Sequence, residues 1–201
     1  MISRVLERLL LGFVRLYCGV QAKCPVANQT GPCVYVVNHT SHLDVVLLLC
    51  ALPAPLRDRT RPVADADYWT SGFLRRYLIH SIFRGVLLER DRSGFNPLEP
   101  VADALGRGDS LILFPEGTRG PGELLLPLKP GIYYIARRSP QVDIVPLWID
   151  NAYRILPKGS TIPVPLLCSV HFGTPLRWKP GQQEENFLAE VRAALESLQP
   201  K

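Results

Sequence analysis

Apolar and polar positions alternate along this chain in two rhythms, one helical and one strand-like. In the first 22 residues Ile2, Val5, Leu6, Leu9, Leu10, Phe13, Leu16, Tyr17 and Val20 recur at helical spacing, while Arg4, Glu7, Arg8, Gly12 and Arg15 fall on the other side. That pattern predicts an amphipathic helix. Short apolar runs bounded by polar turns then predict strands at 34–38, 61–66, 86–89, 110–114 and 142–148. Helical patterns lie between them at 43–51, 68–79 and 130–138. Asn96-Pro97-Leu98-Glu99 has the order of a cap, a first-turn proline and an acidic third position, opening a helix that ends near Gly106-Arg107-Gly108. Residues 164–172 read as a further strand and 184–198 as a closing amphipathic helix. Strands alternating with helices imply an α/β fold, with a mixed, largely parallel sheet flanked by helices. With 201 residues and no linker-like stretch, the reading is an N-terminal helix over 1–22 followed by one domain over 23–201.

Two polar clusters interrupt the apolar runs where strands should end. Asn38-His39-Thr40-Ser41-His42-Leu43-Asp44 follows Cys33-Val34-Tyr35-Val36-Val37, and Phe114-Pro115-Glu116-Gly117-Thr118-Arg119 follows Ser110-Leu111-Ile112-Leu113. Open α/β sheets build their sites at the carboxyl ends of strands. There His39 supplies a base, Asp44 a group to orient it, and Arg119 an anion clamp. The alternative for Asp44 is that it merely caps the helix that follows. Gly117 and Thr118 let backbone approach a ligand closely, while Glu116 either orients an acceptor or holds Arg119. His42 is expected to line the site. Neither Ser41 nor any other serine sits in a G-x-S-x-G elbow, so a serine-hydrolase reading has little support.

These strings resemble the motifs of the glycerolipid acyltransferases of the lysophosphatidic acid acyltransferase type: an NHxSxLD setting for His39 and Asp44, then FPEGTR. Two weaker strings keep the family's order, Gly85-Val86-Leu87-Leu88-Glu89-Arg90 between them and Val142-Asp143-Ile144-Val145-Pro146-Leu147 after them, so the resemblance covers roughly residues 30–150. It implies transfer of a fatty acyl chain from acyl-CoA or acyl-carrier protein to the hydroxyl of a lysophosphatidic acid-like acceptor, in phospholipid biosynthesis or remodelling. The hydroxyl attacks the thioester directly, with no metal and no bound organic cofactor. By the same resemblance Arg90 and Arg119 contact the acceptor phosphate, and Lys129, in Lys129-Pro130-Gly131, supports the acyl-donor end. An apolar tunnel beside His39 is then expected. Two departures bear on the acceptor. The stretch 62–69 carries acidic and aromatic residues where many members place a basic one, and Leu88 stands where an aromatic or isoleucine is commoner. A lysophospholipid or an acylated amino-acid lipid is therefore an open acceptor. A thioesterase or a non-catalytic lipid-binding protein on the same fold is the alternative activity.

Composition narrows the partners. Hydrophobic residues make up 47% of the chain, mean hydropathy is +0.08, and the net charge of +5 favours anionic partners such as phospholipid headgroups. Nucleic acid is disfavoured, because the basic residues are dispersed and no aromatics interleave with them. No apolar run approaches the roughly 20 residues of a spanning helix, so the first helix is expected either to lie in the membrane interface or to pack on the domain. The cysteines number five with no CxxC spacing, which points to free thiols in a reducing compartment and a site on the cytoplasmic face of a membrane.

Overall fold

A computed structural model describes residues 2–23, 31–89, 97–122, 124–156 and 163–200. Seven strands form one sheet: β1 (Gln21–Lys23), β2 (Cys33–Val37), β3 (Thr60–Asp65), β4 (Val86–Leu88), β5 (Ser110–Leu113), β6 (Asp143–Asp150) and β7 (Ser169–Phe172), in the order β1-β7-β6-β2-β5-β3-β4. All neighbours are parallel except β6 and β7, so the sheet is mixed and mostly parallel. Pairing of Val36 with Leu113 brings the ends of β2 and β5 side by side, and with them the two polar clusters.

Helices cover both faces. Alternation along β2 sends Cys33, Tyr35 and Val37 toward one layer and Val34 and Val36 toward the other. The first layer holds α1 (Ile2–Cys18) and α2 (Asp44–Ala51), and the second holds α6 (Glu99–Gly106), α7 (Gly131–Arg138) and α9 (Glu184–Glu196). Every residue of β2 is buried, as expected of a central parallel strand covered on both sides. The remaining helices, α3 (Ala54–Arg57), α4 (Ala66–Thr70), α5 (Phe73–Tyr77) and α8 (Ala152–Ile155), are single turns or little more.

The structure departs from the expected elements where local chemistry competes with the pattern. Instead of one helix over 68–79 there are α4, α5 and a π-helical turn at Leu78–Ile82. Thr70 Oγ1 donates back to the Ala66 carbonyl and Ser71 Oγ to that of Tyr68, which closes α4, and extended Gly72 opens α5. The expected strand over 164–172 pairs only from Ser169, because Pro163 and Pro165 have no N–H to give a ladder. Leu98 occupies the cap position of α6; the expected cap, Asn96, lies outside the described residues.

Two different faces of α1 are apolar. Leu11, Val14 and Cys18 are buried against the domain, and Glu7 joins them by pairing with Arg84 at 3.2 Å. Val5, Leu6, Leu9, Phe13 and Leu16 point outward, with Leu16 87% exposed. The outward-facing stripe is therefore most of the one read from the sequence, while the seat is a second, narrower stripe. No described helix is long and apolar enough to cross a membrane.

Candidate functional site

The loop after β2 is organised by one carboxylate oxygen. Asp44, the first residue of α2 and fully buried, receives at Oδ2 the His39 ring at 2.8 Å from Nδ1, the Thr40 amide at 2.7 Å and the Ser41 amide at 2.9 Å. The same oxygen thus satisfies the turn before the helix and holds the imidazole, while Leu43 takes the cap position of α2 with no side-chain cap bond, so Asp44 does not cap that helix. Its Oδ1 is buried with no hydrogen-bond partner among the described residues. Asn38 anchors the loop from behind: its side chain donates to the Ile149 carbonyl at 3.0 Å and accepts from the Ile149 amide at 2.7 Å, tying β2 to β6. The Ser41 hydroxyl faces the Leu156 carbonyl at 3.4 Å and accepts from the Leu43 amide, so it serves the backbone.

The loop after β5 is stitched to the first. Glu116 Oε1 accepts from the His39 amide at 2.7 Å, Oε2 accepts from the Leu126 amide at 2.9 Å, and the Gly120 amide donates to the His39 carbonyl at 2.7 Å. Both oxygens of Glu116 are engaged by backbone, and the side chain is buried. In the fold it braces the two loops. Burial pushes its carboxyl above the ordinary range, against the pull of the two amides. The Phe114 ring stacks on His39 with centroids 4.2 Å apart, a contact the sequence offered no way to anticipate.

Gly117 has φ +66, a conformation that glycine adopts without penalty, and a Cβ there would meet Lys129 Nζ at 2.6 Å. Lys129 therefore lies across Gly117, its own amide donating to the Pro115 carbonyl at 2.8 Å. A cleft of about 710 Å³ opens over these strand ends, lined by His39, His42, Gly117, Thr118, Arg119 and Lys129 on one side. Its remaining walls are largely apolar and come from β3, α4, the π-helical turn and β4, including Val63, Trp69, Ile79, Phe83 and Leu88. The walls at Trp69, Ile79 and Phe83 were not singled out in the sequence; only the unusual Tyr68-Trp69 pair hinted at them. His42 titrates below the ordinary histidine range, through desolvation first and then the positive charges of Arg119, His39 and Arg75. Arg90 lies outside the described residues. No cluster of three potential metal ligands occurs among the described residues.

A base held by a carboxylate at the strand ends of an α/β sheet, opening into an apolar cleft with cations at its rim, defines a class of site suited to reactions of lipid-like substrates. The chain belongs to the Acyltransferase family, whose model matches residues 21–150. It is similar to the 1-acyl-sn-glycerol-3-phosphate acyltransferase alpha of Mus musculus, 33% identical over 156 residues covering 74% of this chain and 51% of that protein. It is also similar to the 1-acyl-sn-glycerol-3-phosphate acyltransferase of Cocos nucifera, 27% identical over 165 residues covering 81% of this chain and 52% of the other. The chain thus spans about half the length of these relatives. In fold it resembles the crystal structure of the 1-acyl-sn-glycerophosphate (LPA) acyltransferase PlsC from Thermotoga maritima, with a TM-score of 0.76, 21% identity, and coverage of 97% of this chain and 78% of that one.

Proposed function

We propose that this protein transfers a fatty acyl group from a thioester, acyl-CoA or acyl-carrier protein, to the hydroxyl of a lysophosphatidic acid-like glycerolipid. The observation that carries the reading is the His39–Asp44 pair, held at 2.8 Å and facing an apolar cleft rimmed by Arg119 and Lys129. Family membership and relatives named for this acceptor class support it.

An alcohol is a weak nucleophile until a base takes its proton. With Nδ1 committed to Asp44, His39 keeps Nε2 for that task, and the carboxylate stabilises the imidazolium as it forms. The acceptor oxygen bonds to the thioester carbonyl carbon while its proton passes to Nε2. The tetrahedral intermediate collapses by breaking the carbon–sulfur bond, and the leaving thiolate takes the proton back from His39. No enzyme nucleophile, metal or bound organic cofactor is needed. Arg119, with Arg90, would hold the acceptor phosphate by bidentate hydrogen bonds, with Gly117 and Thr118 giving it close access to backbone. Lys129 would support the donor end, and Glu116 acts through the loops it braces.

In this reading the enzyme works at a membrane surface. Leu9, Phe13 and Leu16 are 64%, 60% and 87% exposed on α1, beside Arg4, Arg8 and Arg15. An apolar face flanked by arginines suits an interface whose headgroups are anionic. The cytoplasmic face fits the free, buried thiols of Cys18, Cys33, Cys50 and Cys168.

The test is thiol release by the purified protein from a long-chain acyl-CoA or acyl-carrier protein, with a panel of lyso-lipids and with acceptor omitted. Release that depends on lysophosphatidic acid and yields the diacyl product is expected. Release without acceptor would make the protein a thioesterase, and no release with any donor would contradict the reading.

A further inference from the structure

One side of the cleft carries a cation that the mechanism above does not use. The stretch 62–69 along β3 and α4 contains no lysine or arginine, yet the next helix, α5, sets one against the cleft-lining Tyr68. Arg75 lays its guanidinium over the ring of Tyr68, with Cζ 4.4 Å from the centroid, and Tyr68 lines the cleft. Nη1 donates to Ser71 Oγ at 3.0 Å, and that hydroxyl is itself held by the Tyr68 carbonyl at 2.8 Å. Ring and hydroxyl fix the orientation of a side chain that is otherwise exposed. Arg75 has no carboxylate within ion-pair distance among the described residues.

Its charge sits beside the cleft, against the wall residue Tyr68. Arg75 and Arg119 both act on His42, which lines the cleft, and so does His39. His42, from the loop after β2, and Arg119, from the loop after β5, line the cleft, and Arg75, from α5, lies over the ring of the lining Tyr68. Two acidic residues, Asp65 and Glu89, also line the cleft, and Asp65 accepts from the Tyr68 amide and caps α4. Immediately before Arg75, Phe73 and Leu74 are 87% and 67% exposed on the outer side of the same short helix. Two bare apolar side chains followed by an oriented arginine place the cation at headgroup depth if that tip meets lipid.

We propose that Arg75 is a binding residue for the anionic headgroup of the acceptor, gripping its phosphate from the α5 side of the cleft mouth while Phe73 and Leu74 seat the rim in the lipid surface. The proposal rests on the acyl-transfer reading for the identity of the ligand as a lyso-lipid. A phosphomonoester has oxygens enough for Arg119 and Arg75 to approach from opposite sides, and a guanidinium prepositioned on an aromatic ring loses little freedom on binding. Discrimination between charged and neutral acceptors is then the property that Arg75 controls.

Binding separates this from the chemistry. Titration calorimetry with short-chain lysophosphatidic acid and with the matching monoacylglycerol, which lacks only the phosphate, measures the preference for the headgroup without any turnover. Wild-type protein should favour the phosphorylated ligand. Arg75→Ala should weaken the phosphorylated ligand about 10-fold while leaving the neutral one within about 2-fold, the size expected for losing one charge-assisted contact. Arg75→Lys should fall between, since an ammonium keeps the charge but not the fork. Arg76→Ala removes the same net charge from the same helix and should behave as wild type. Equal binding of the phosphorylated ligand by Arg75→Ala and wild type would overturn the proposal, as would an equal loss for both ligands. In the transfer assay the variant should raise the KM for lysophosphatidic acid; a rise confined to the KM for acyl-CoA would assign the contact to the donor's phosphates and contradict it. If the headgroup preference follows Arg75 while no acyl transfer occurs, the acyl-transfer reading fails and the anion site stands.

Discussion

At the scale of single residues, two carboxylates do different work within one small volume. Asp44 concentrates three donors on Oδ2 and so fixes the imidazole and the loop together. Glu116 divides its oxygens between the His39 and Leu126 amides, so each oxygen has a donor that only an acceptor can satisfy. Glu116→Gln replaces one of these oxygens by an NH₂ group. Whichever way the amide turns, a donor then meets a donor in a buried site. The expected cost is about 1–3 kcal/mol. For a chain of this size each kcal/mol lowers the melting temperature by roughly 2–4 °C. Calorimetric melting of the variant checks this, and an unchanged Tm would show that the brace contributes nothing. These contacts explain which parts of the site were legible. His39 and Asp44 announce themselves by residue type and spacing after an apolar run. The partners of Glu116 are backbone amides, which carry no signature in side-chain identity, so its bracing contacts were invisible until the loops were seen in space.

At the scale of elements, α1 shows how one helix carries two apolar stripes. The wide one, Val5, Leu6, Leu9, Phe13 and Leu16, dominates the periodicity, and the narrow seat of Leu11, Val14 and Cys18 hides behind it. Glu7 looked like a solvent-facing charge, but its partner Arg84 is 77 residues away in sequence, beyond the reach of any local pattern. Two substitutions should separate the faces. Leu9→Glu with Phe13→Glu leaves the core untouched, so Tm should stay within about 2 °C while retention on anionic vesicles falls several-fold. Leu11→Ala opens a cavity under the helix and should cost about 2–4 kcal/mol. Vesicle sedimentation beside thermal melting reads both effects, and the assignment of the faces fails if the outward pair destabilises the fold instead. The helix read over 68–79 failed for a related reason: hydroxyls at Thr70 and Ser71 turn back on their own carbonyls, and apolar spacing does not register that competition.

At the scale of the whole molecule, the sheet order does what no single motif specifies. Strands β2 and β5, far apart in sequence, lie side by side, and β3 and β4 continue the sheet to form the apolar walls beyond them. Alternation of strands and helices made this α/β class legible, and the strand read at 164–172 holds β7, whereas the antiparallel direction of β7 and the three-residue β1 left no readable trace. The fold also silences the four thiols among the described residues. Burial raises Cys33 and Cys50 to about 11, and raises Cys18 and Cys168 as well. At pH 8 a thiol of that pKa is only about one-thousandth thiolate, and it is also enclosed. In a Cys24→Ser background an aromatic disulfide reagent should therefore find no reactive thiol in native protein and four after denaturation; rapid native labelling would contradict this burial. The central claim is that His39 is the base of an acyl transfer that needs no enzyme nucleophile. The most direct measurement compares the initial rate of acyl-CoA-dependent acylation of lysophosphatidic acid by wild type and by His39→Ala, with Tm recorded for both. A fall of about 10²–10⁴-fold at an essentially unchanged Tm is the result expected, and a folded variant that retains the wild-type rate would contradict it.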